Sequence, residues 1–238
     1  MVLNHIAHFL RSAACGVLDI VYPPYCLLCE TNGDYLCPAC TDKIACVEFP
    51  VCSKCGYPRP YPGICGDCLV RALSFDRARS AALFEGELRD AIHLLKYSRK
   101  VVLAEPLAKL MVDRWPGFGS EIDLVIPIPL HKSRFNERGF NQSEELARHL
   151  CLELGLPFRC EVMRRNRNTR QQVNLTAEER ADNVAGAFSV RRTDDVWGKR
   201  VLLIDDVMTT GATANAAAEP LKAAGAKEVF VYTLARGL

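Results

Sequence analysis

Four C-x-x-C pairs follow one another between residues 26 and 68: Cys26 with Cys29, Cys37 with Cys40, Cys52 with Cys55, and Cys65 with Cys68. Nothing else in the 238-residue chain restricts the fold as tightly. Two thiolates separated by two residues in a tight turn can face one tetrahedral Zn²⁺, and two such turns close a four-sulfur site with no open position for chemistry. Gly33, Gly56, Gly63, Gly66, Pro58, Pro60 and Pro62 interleave the pairs, leaving too few apolar residues for packing alone to fold the stretch. Zinc is therefore expected as a folding ligand. Spacing favours sequential sites, with Cys26, Cys29, Cys37 and Cys40 on one ion and Cys52, Cys55, Cys65 and Cys68 on a second. A cross-brace, first pair with third and second with fourth, is the alternative. Cys15, Cys46, Cys151 and Cys160 have no partner at ligand spacing and read as small buried hydrophobes.

A disulfide framework would require an oxidising compartment. The N-terminus, MVLNHIAHFLRSAACGVLDIVYPP, has no basic leader, and Arg11 interrupts it where a signal peptide is most apolar, so a cytoplasmic location is expected. Leu3, Ile6, Leu10, Ala14, Val17 and Val21 recur at helical spacing and predict an amphipathic helix within residues 1–24. No apolar run approaches the ~18 residues of a spanning helix, so no membrane insertion is expected. A net charge of +2 gives no global steering toward nucleic acid or membrane, and any basic surface must be local.

The texture changes after residue 70, which divides the chain into the helix (1–24), the zinc module (25–70) and a larger domain (71–238). IDLVIPIP (122–129), VLLID (201–205) and VFVYTL (229–234) are the near-continuous apolar runs of buried parallel strands. Helical patterns lie at 88–97, 102–115, 141–155 and 211–226, and 74–84 reads as extended chain. Strand alternating with helix predicts an α/β fold with an open, doubly wound, mostly parallel sheet.

In such sheets ligands bind beyond the carboxyl ends of the strands, where Asp205 and Asp206 end the run VLLID. Thr209, Thr210, Gly211, Ala212 and Thr213 then lead into a helix N-terminus, where backbone N–H groups and the helix dipole favour a phosphate. Glycine permits close backbone approach, and the hydroxyls donate further hydrogen bonds. Two carboxylates beside a phosphate cradle suit the vicinal hydroxyls of a ribose 5-phosphate. An ordinary capping acid and turn would explain one Asp and one Thr, not the array.

IDDVMTTGAT resembles the phosphoribosyl pyrophosphate signature of the type I phosphoribosyltransferases. The chain as a whole resembles their ComF (competence protein F, GntX-like) branch, through the four cysteine pairs, LKYSRK (95–100), VIPIPLHKSRFNERGFNQSEELA (125–147), RRNRNTRQQVNLTAEERADNVAGAF (164–188) and the signature. The resemblance implies a type I phosphoribosyltransferase fold behind a double zinc ribbon, binding phosphoribosyl pyrophosphate with Mg²⁺, in a protein linked to DNA uptake. By the same analogy Asp205 and Asp206 bind the ribose hydroxyls, and the stretch with Val207 and Thr209 to Thr213 holds the 5-phosphate. The turn at Pro129, Leu130 and His131 matches the loop that contacts pyrophosphate. Arg134 and Arg138 follow it, and their planar forks suit a pyrophosphate; Arg138 joins the acid pair as a catalytic candidate. Arg164 to Gln172 resembles the mobile loop that closes over the sugar. His93 and His131 read as bystanders.

Hypoxanthine-type enzymes carry an Asp where this chain has Thr209, so a purine acceptor lacks its usual base, and residues 71–100 are the candidate hood for the acceptor. Two further readings stay open: a nucleotide-salvage transferase for a small base, and a non-catalytic module handling single-stranded DNA alongside uptake proteins, with Tyr57 and Tyr61 stacking on bases.

Overall fold

The computed structural model describes residues 23–118, 121–168 and 177–238. The helix expected within residues 1–24 lies outside them except for Pro23 and Pro24, as do residues 169–172 of the Arg-rich segment. After a short turn α1 (Pro38–Thr41) and a second, α2 (Gly66–Val70), the larger domain runs β1 (Arg77–Leu83), α3 (Gly86–Tyr97), α4 (Ala104–Asp113), β2 (Leu124–Pro127), α5 (Lys132–Arg138), α6 (Gln142–Leu154), β3 (Met163–Arg165), α7 (Ala177–Val184), β4 (Phe188–Val190), β5 (Arg200–Met208), α8 (Ala212–Ala223) and β6 (Glu228–Arg236).

The main sheet has the order β1-β6-β5-β2 with all neighbours parallel. Successive strand residues face opposite sides, and each side has its own core. Val125, Leu202, Ile204, Phe230 and Tyr232 pack with Leu88 and Ile92 of α3, Leu107 of α4 and Leu146 of α6. Leu124, Ile126, Val201, Leu203, Val229 and Val231 pack with Ala217 and Leu221 of α8, and with Met163 and Phe188 of the β3–β4 ribbon. Helices on both faces explain why these strands read as continuous apolar runs.

The zinc module closes the β1 edge. Ala78 N–H donates to Lys54 O at 2.7 Å and Leu83 N–H to Ala45 O at 2.9 Å, so the module removes unpaired backbone groups from an exposed strand. Gly56, at φ +71°, allows this approach: a Cβ there would stand 2.7 Å from the Ala78 carbonyl oxygen. Cys26, Cys37 and Cys40 join the first core, while Cys52 and Cys55 join the second. The two cysteine clusters thus flank the same sheet edge.

Three local features go beyond the sequence pattern. β5 continues past the predicted end at Asp205 to Met208, because Val207 and Met208 pair with Ala235 and Arg236 of β6. The basic stretch carrying Arg134 and Arg138 is helix α5, capped by His131 and ended by Gly139 at φ +87°. The antiparallel ribbon β3–β4 was not anticipated. Among the described residues, no helix is long and apolar enough to cross a membrane.

Candidate functional site

The cysteines assemble as sequential sites. The sulfurs of Cys26, Cys29, Cys37 and Cys40 lie within 4.8 Å of one another, as do those of Cys52, Cys55, Cys65 and Cys68. A Zn–S bond of about 2.3 Å places tetrahedral sulfurs about 3.8 Å apart. The observed separations are 3.8 Å for Cys26–Cys40, 3.5 Å for Cys29–Cys37 and 3.7 Å for Cys55–Cys65. Backbone N–H groups point at the sulfurs: Cys37 N donates to Cys26 Sγ at 3.5 Å, and Cys65 N to Cys52 Sγ at 3.3 Å. Both donor sets fit structural Zn²⁺, and neither offers an open position.

The second constellation lies at the carboxyl end of the main sheet. Asp205 lines a pocket with Val207, Thr209, Gly211, Ala212 and Thr213, directly before α8. Gly211 is the N-cap of α8 at φ +79°, and Thr210 Oγ1 accepts from Ala212 N–H at 3.4 Å. The loop therefore wraps the positive end of a twelve-residue helix, a setting that favours phosphate.

The adjacent carboxylates have different partners. Asp205 Oδ1 accepts from Ser143 Oγ at 2.8 Å, near the start of α6. Asp206 is almost wholly buried and pairs through Oδ2 with Lys96 Nζ of α3 at 2.6 Å. Burial first, and then the charge of Asp206, push the Asp205 carboxyl up to about 7. Lys96 and Ser143 were not among the predicted site residues, although LKYSRK and the start of α6 contain them.

Arg138 and Arg165 come from elements near this edge, and Arg134 lies within electrostatic range of Arg165. Arg138 donates to Gln142 Oε1 and lies over the Tyr97 ring, 5.8 Å from its centre. Arg165 of β3 is desolvated, which lowers its pKa, while it feels the charges of Asp205 and Arg134. Arg165 falls inside the predicted mobile segment and lies within electrostatic range of Asp205. Pro129, Leu130 and His131 form the link from β2 to α5, where His131 Nδ1 accepts from Ser133 N–H at 3.2 Å. His131 is thus a helix cap, and His93 packs its ring near Phe84 and Tyr97. The candidate hood, residues 71–100, forms β1 and α3 and reaches the acid pair through Lys96.

Comparison with known proteins finds the double zinc ribbon domain at residues 17–69 and the phosphoribosyl transferase domain at residues 135–238. The chain is 31% identical over 222 residues to Competence protein F of Haemophilus influenzae, covering 89% of this chain and 96% of that one. It is 32% identical over 230 residues to DNA utilization protein YhgH of Escherichia coli O6:H1, covering 92% of this chain and all (100%) of the other. With Competence protein ComFC of Bacillus subtilis it shares 26% identity over 237 residues, covering 89% and 94%.

Proposed function

Because the chain belongs to the ComF family of competence proteins, joining a double zinc ribbon to a phosphoribosyltransferase fold, we propose that it binds phosphoribosyl pyrophosphate with Mg²⁺ and transfers the phosphoribosyl group during the cytoplasmic handling of incoming DNA. The observation that carries this reading is the pocket in which Asp205 faces the Thr209–Thr213 loop at the start of α8.

In this reading the loop and helix terminus take the 5-phosphate, and Asp205 accepts from a ribose hydroxyl. Asp206 reaches the sugar by exchanging its Lys96 partner for it. Arg134, Arg138 and Arg165 supply bidentate donors and positive charge for the pyrophosphate, where negative charge builds as the bond to the sugar breaks. Mg²⁺ fits as an ion arriving with the ligand, since both carboxylates already have partners, Ser143 for Asp205 and Lys96 for Asp206. When bound it neutralises the departing pyrophosphate.

Calorimetric titration with Mg²⁺ and phosphoribosyl pyrophosphate tests the assignment. Replacing both Asp205 and Asp206 by Asn should weaken binding by on the order of 2 to 4 kcal/mol, because each amide keeps a neutral acceptor and forfeits only the charge assistance of its hydrogen bond. Unchanged affinity in a folded double variant would reject the sugar pocket.

A specific observation also favours single-strand contact by the zinc module, as a complement to this activity. Phe49 and Tyr61 are 79% and 74% exposed, suitable for stacking on unpaired bases. Single-strand affinity measured across a salt series should fall when both are replaced by Ala, with the salt slope preserved because phosphate contacts remain. Equal affinity would leave these rings without that role.

A further inference from the structure

Residues 71–76 join the second cysteine cluster to β1 and grip α8 on the way. Arg71, the C-cap of α2, donates from Nη1 to Thr210 O at 3.3 Å. Ser74 N–H donates to Asn215 Oδ1 at 2.6 Å, and Asn215 N–H closes the first turn of α8 on Gly211 O at 2.8 Å. The buried Phe75 ring lies beside Gly211, where a Cβ would stand 3.8 Å from it. Both ends of this strap are fixed. Asp76 accepts from Val229 N–H at 2.7 Å and pairs with Lys222 Nζ at 2.6 Å, while Cys65, Cys68 and Leu73 pack against the second core.

The Arg71 contact decides which way one peptide of the Thr209–Thr213 loop faces. The peptide between Thr210 and Gly211 is trans, so its carbonyl and its N–H point in opposite directions. Holding Thr210 O toward Arg71 therefore turns Gly211 N–H to the other side. The lining residues agree: Thr210 lines a cleft on the zinc-module side together with Arg71, whereas Gly211 lines the Asp205 pocket and Thr210 does not. Backbone N–H groups hold a phosphate, and a carbonyl oxygen turned toward it would repel it. Ser74, through Asn215, fixes the helix turn on which the neighbouring N–H groups sit.

We propose that Arg71 and Asn215 are positioning residues for the sugar 5-phosphate: through them the second zinc ribbon holds the Thr209–Thr213 loop with its N–H groups toward the Asp205 pocket. The proposal rests on the phosphate reading above. It makes 5-phosphate affinity depend on the second ribbon and not on the first, since only the Cys52 cluster anchors the strap.

The test uses the full, zinc-loaded chain, titrated by calorimetry with ribose 5-phosphate and, separately, with pyrophosphate and Mg²⁺. Amide exchange of residues 210–213, followed by mass spectrometry, reads the order of the loop itself. Arg71→Ala and Asn215→Ala should each weaken ribose 5-phosphate by about fivefold or more, the worth of one hydrogen bond, and change pyrophosphate by less than about twofold. Both should speed exchange of the loop amides. Arg71→Lys, which keeps a charged donor, should recover most of the affinity. Cys52→Ser, which empties the second cluster, should act as Arg71→Ala does, and Cys37→Ser, which empties the first, should not. Parent-like ribose 5-phosphate affinity in Arg71→Ala and Asn215→Ala would overturn the proposal, as would full affinity in Cys52→Ser protein that has lost an ion. Equal losses for ribose 5-phosphate and pyrophosphate would also overturn it, by making the strap a general support of the fold. A parent chain that binds no ribose 5-phosphate, with loop exchange still faster in Arg71→Ala, would instead reject the phosphate reading and leave the strap's hold on the loop standing.

Discussion

Asp205 concentrates the cost and the use of the site in one carboxyl group. Burial and the neighbouring Asp206 raise it to about 7 from an ordinary value of 3.8, against the opposing pull of Ser143 and Lys96. The folded chain therefore holds this proton more tightly than the unfolded chain. Between pH 4 and 7 folding takes up a proton at this group, and its contribution to stability falls as pH rises through that window. Asp205→Asn keeps an oxygen for the Ser143 hydroxyl and removes the charge. The variant should melt a few degrees higher than the parent at pH 8, on the order of 1 kcal/mol, with a smaller gain at pH 5.5. Scanning calorimetry that finds an equal gain at both values, or a loss, would contradict a strained carboxylate. The candidate acid pair was visible in the sequence because two acids ended an apolar run. Its partners were hidden, since Ser143 and Lys96 come from distant helices and meet the pair only through the sheet's topology.

At the scale of elements, the zinc ribbons make the clearest separable claim. Each cysteine cluster is sequential, so Cys52→Ser should reduce bound zinc from two ions per chain to one and leave the cluster at Cys26 loaded. Metal analysis combined with mass spectrometry of alkylated thiols checks this: Cys55, Cys65 and Cys68 should become reactive while Cys26, Cys29, Cys37 and Cys40 stay protected. Protection in the opposite sense would mean a cross-brace. Legibility at this scale follows the density of apolar residues. The cores of β5, β6, α3, α6 and α8 could be read because burial on one or two faces leaves a periodic pattern. α5 could not, since KSRFNER buries none of its residues and its signals, the His131 cap and Gly139, are individually weak. The extension of β5 to Met208 depends on pairing with β6, which no local pattern announces.

At the scale of the whole molecule, the architecture places the cysteine clusters and the candidate site along one sheet. The zinc module seals the β1 edge, two cores hold the sheet between helices, and the acid pair and the Thr209–Thr213 loop lie near its carboxyl end. The cysteine spacing announced the double ribbon and the alternation of strand and helix announced the parallel sheet. Their junction was not legible, because it is made of backbone contacts such as Ala78 to Lys54 and of Gly56 beside Ala78. We propose that this edge holds both ends of phosphoribosyl pyrophosphate, and ³¹P NMR of the full, zinc-loaded chain with Mg²⁺ tests this most directly. The 5-phosphate and both pyrophosphate resonances should shift saturably together. Arg138→Lys, which keeps the charge and loses the planar fork, should diminish the pyrophosphate shifts first. Resonances that stay at their free positions at saturating protein, or a 5-phosphate that never responds, would contradict it.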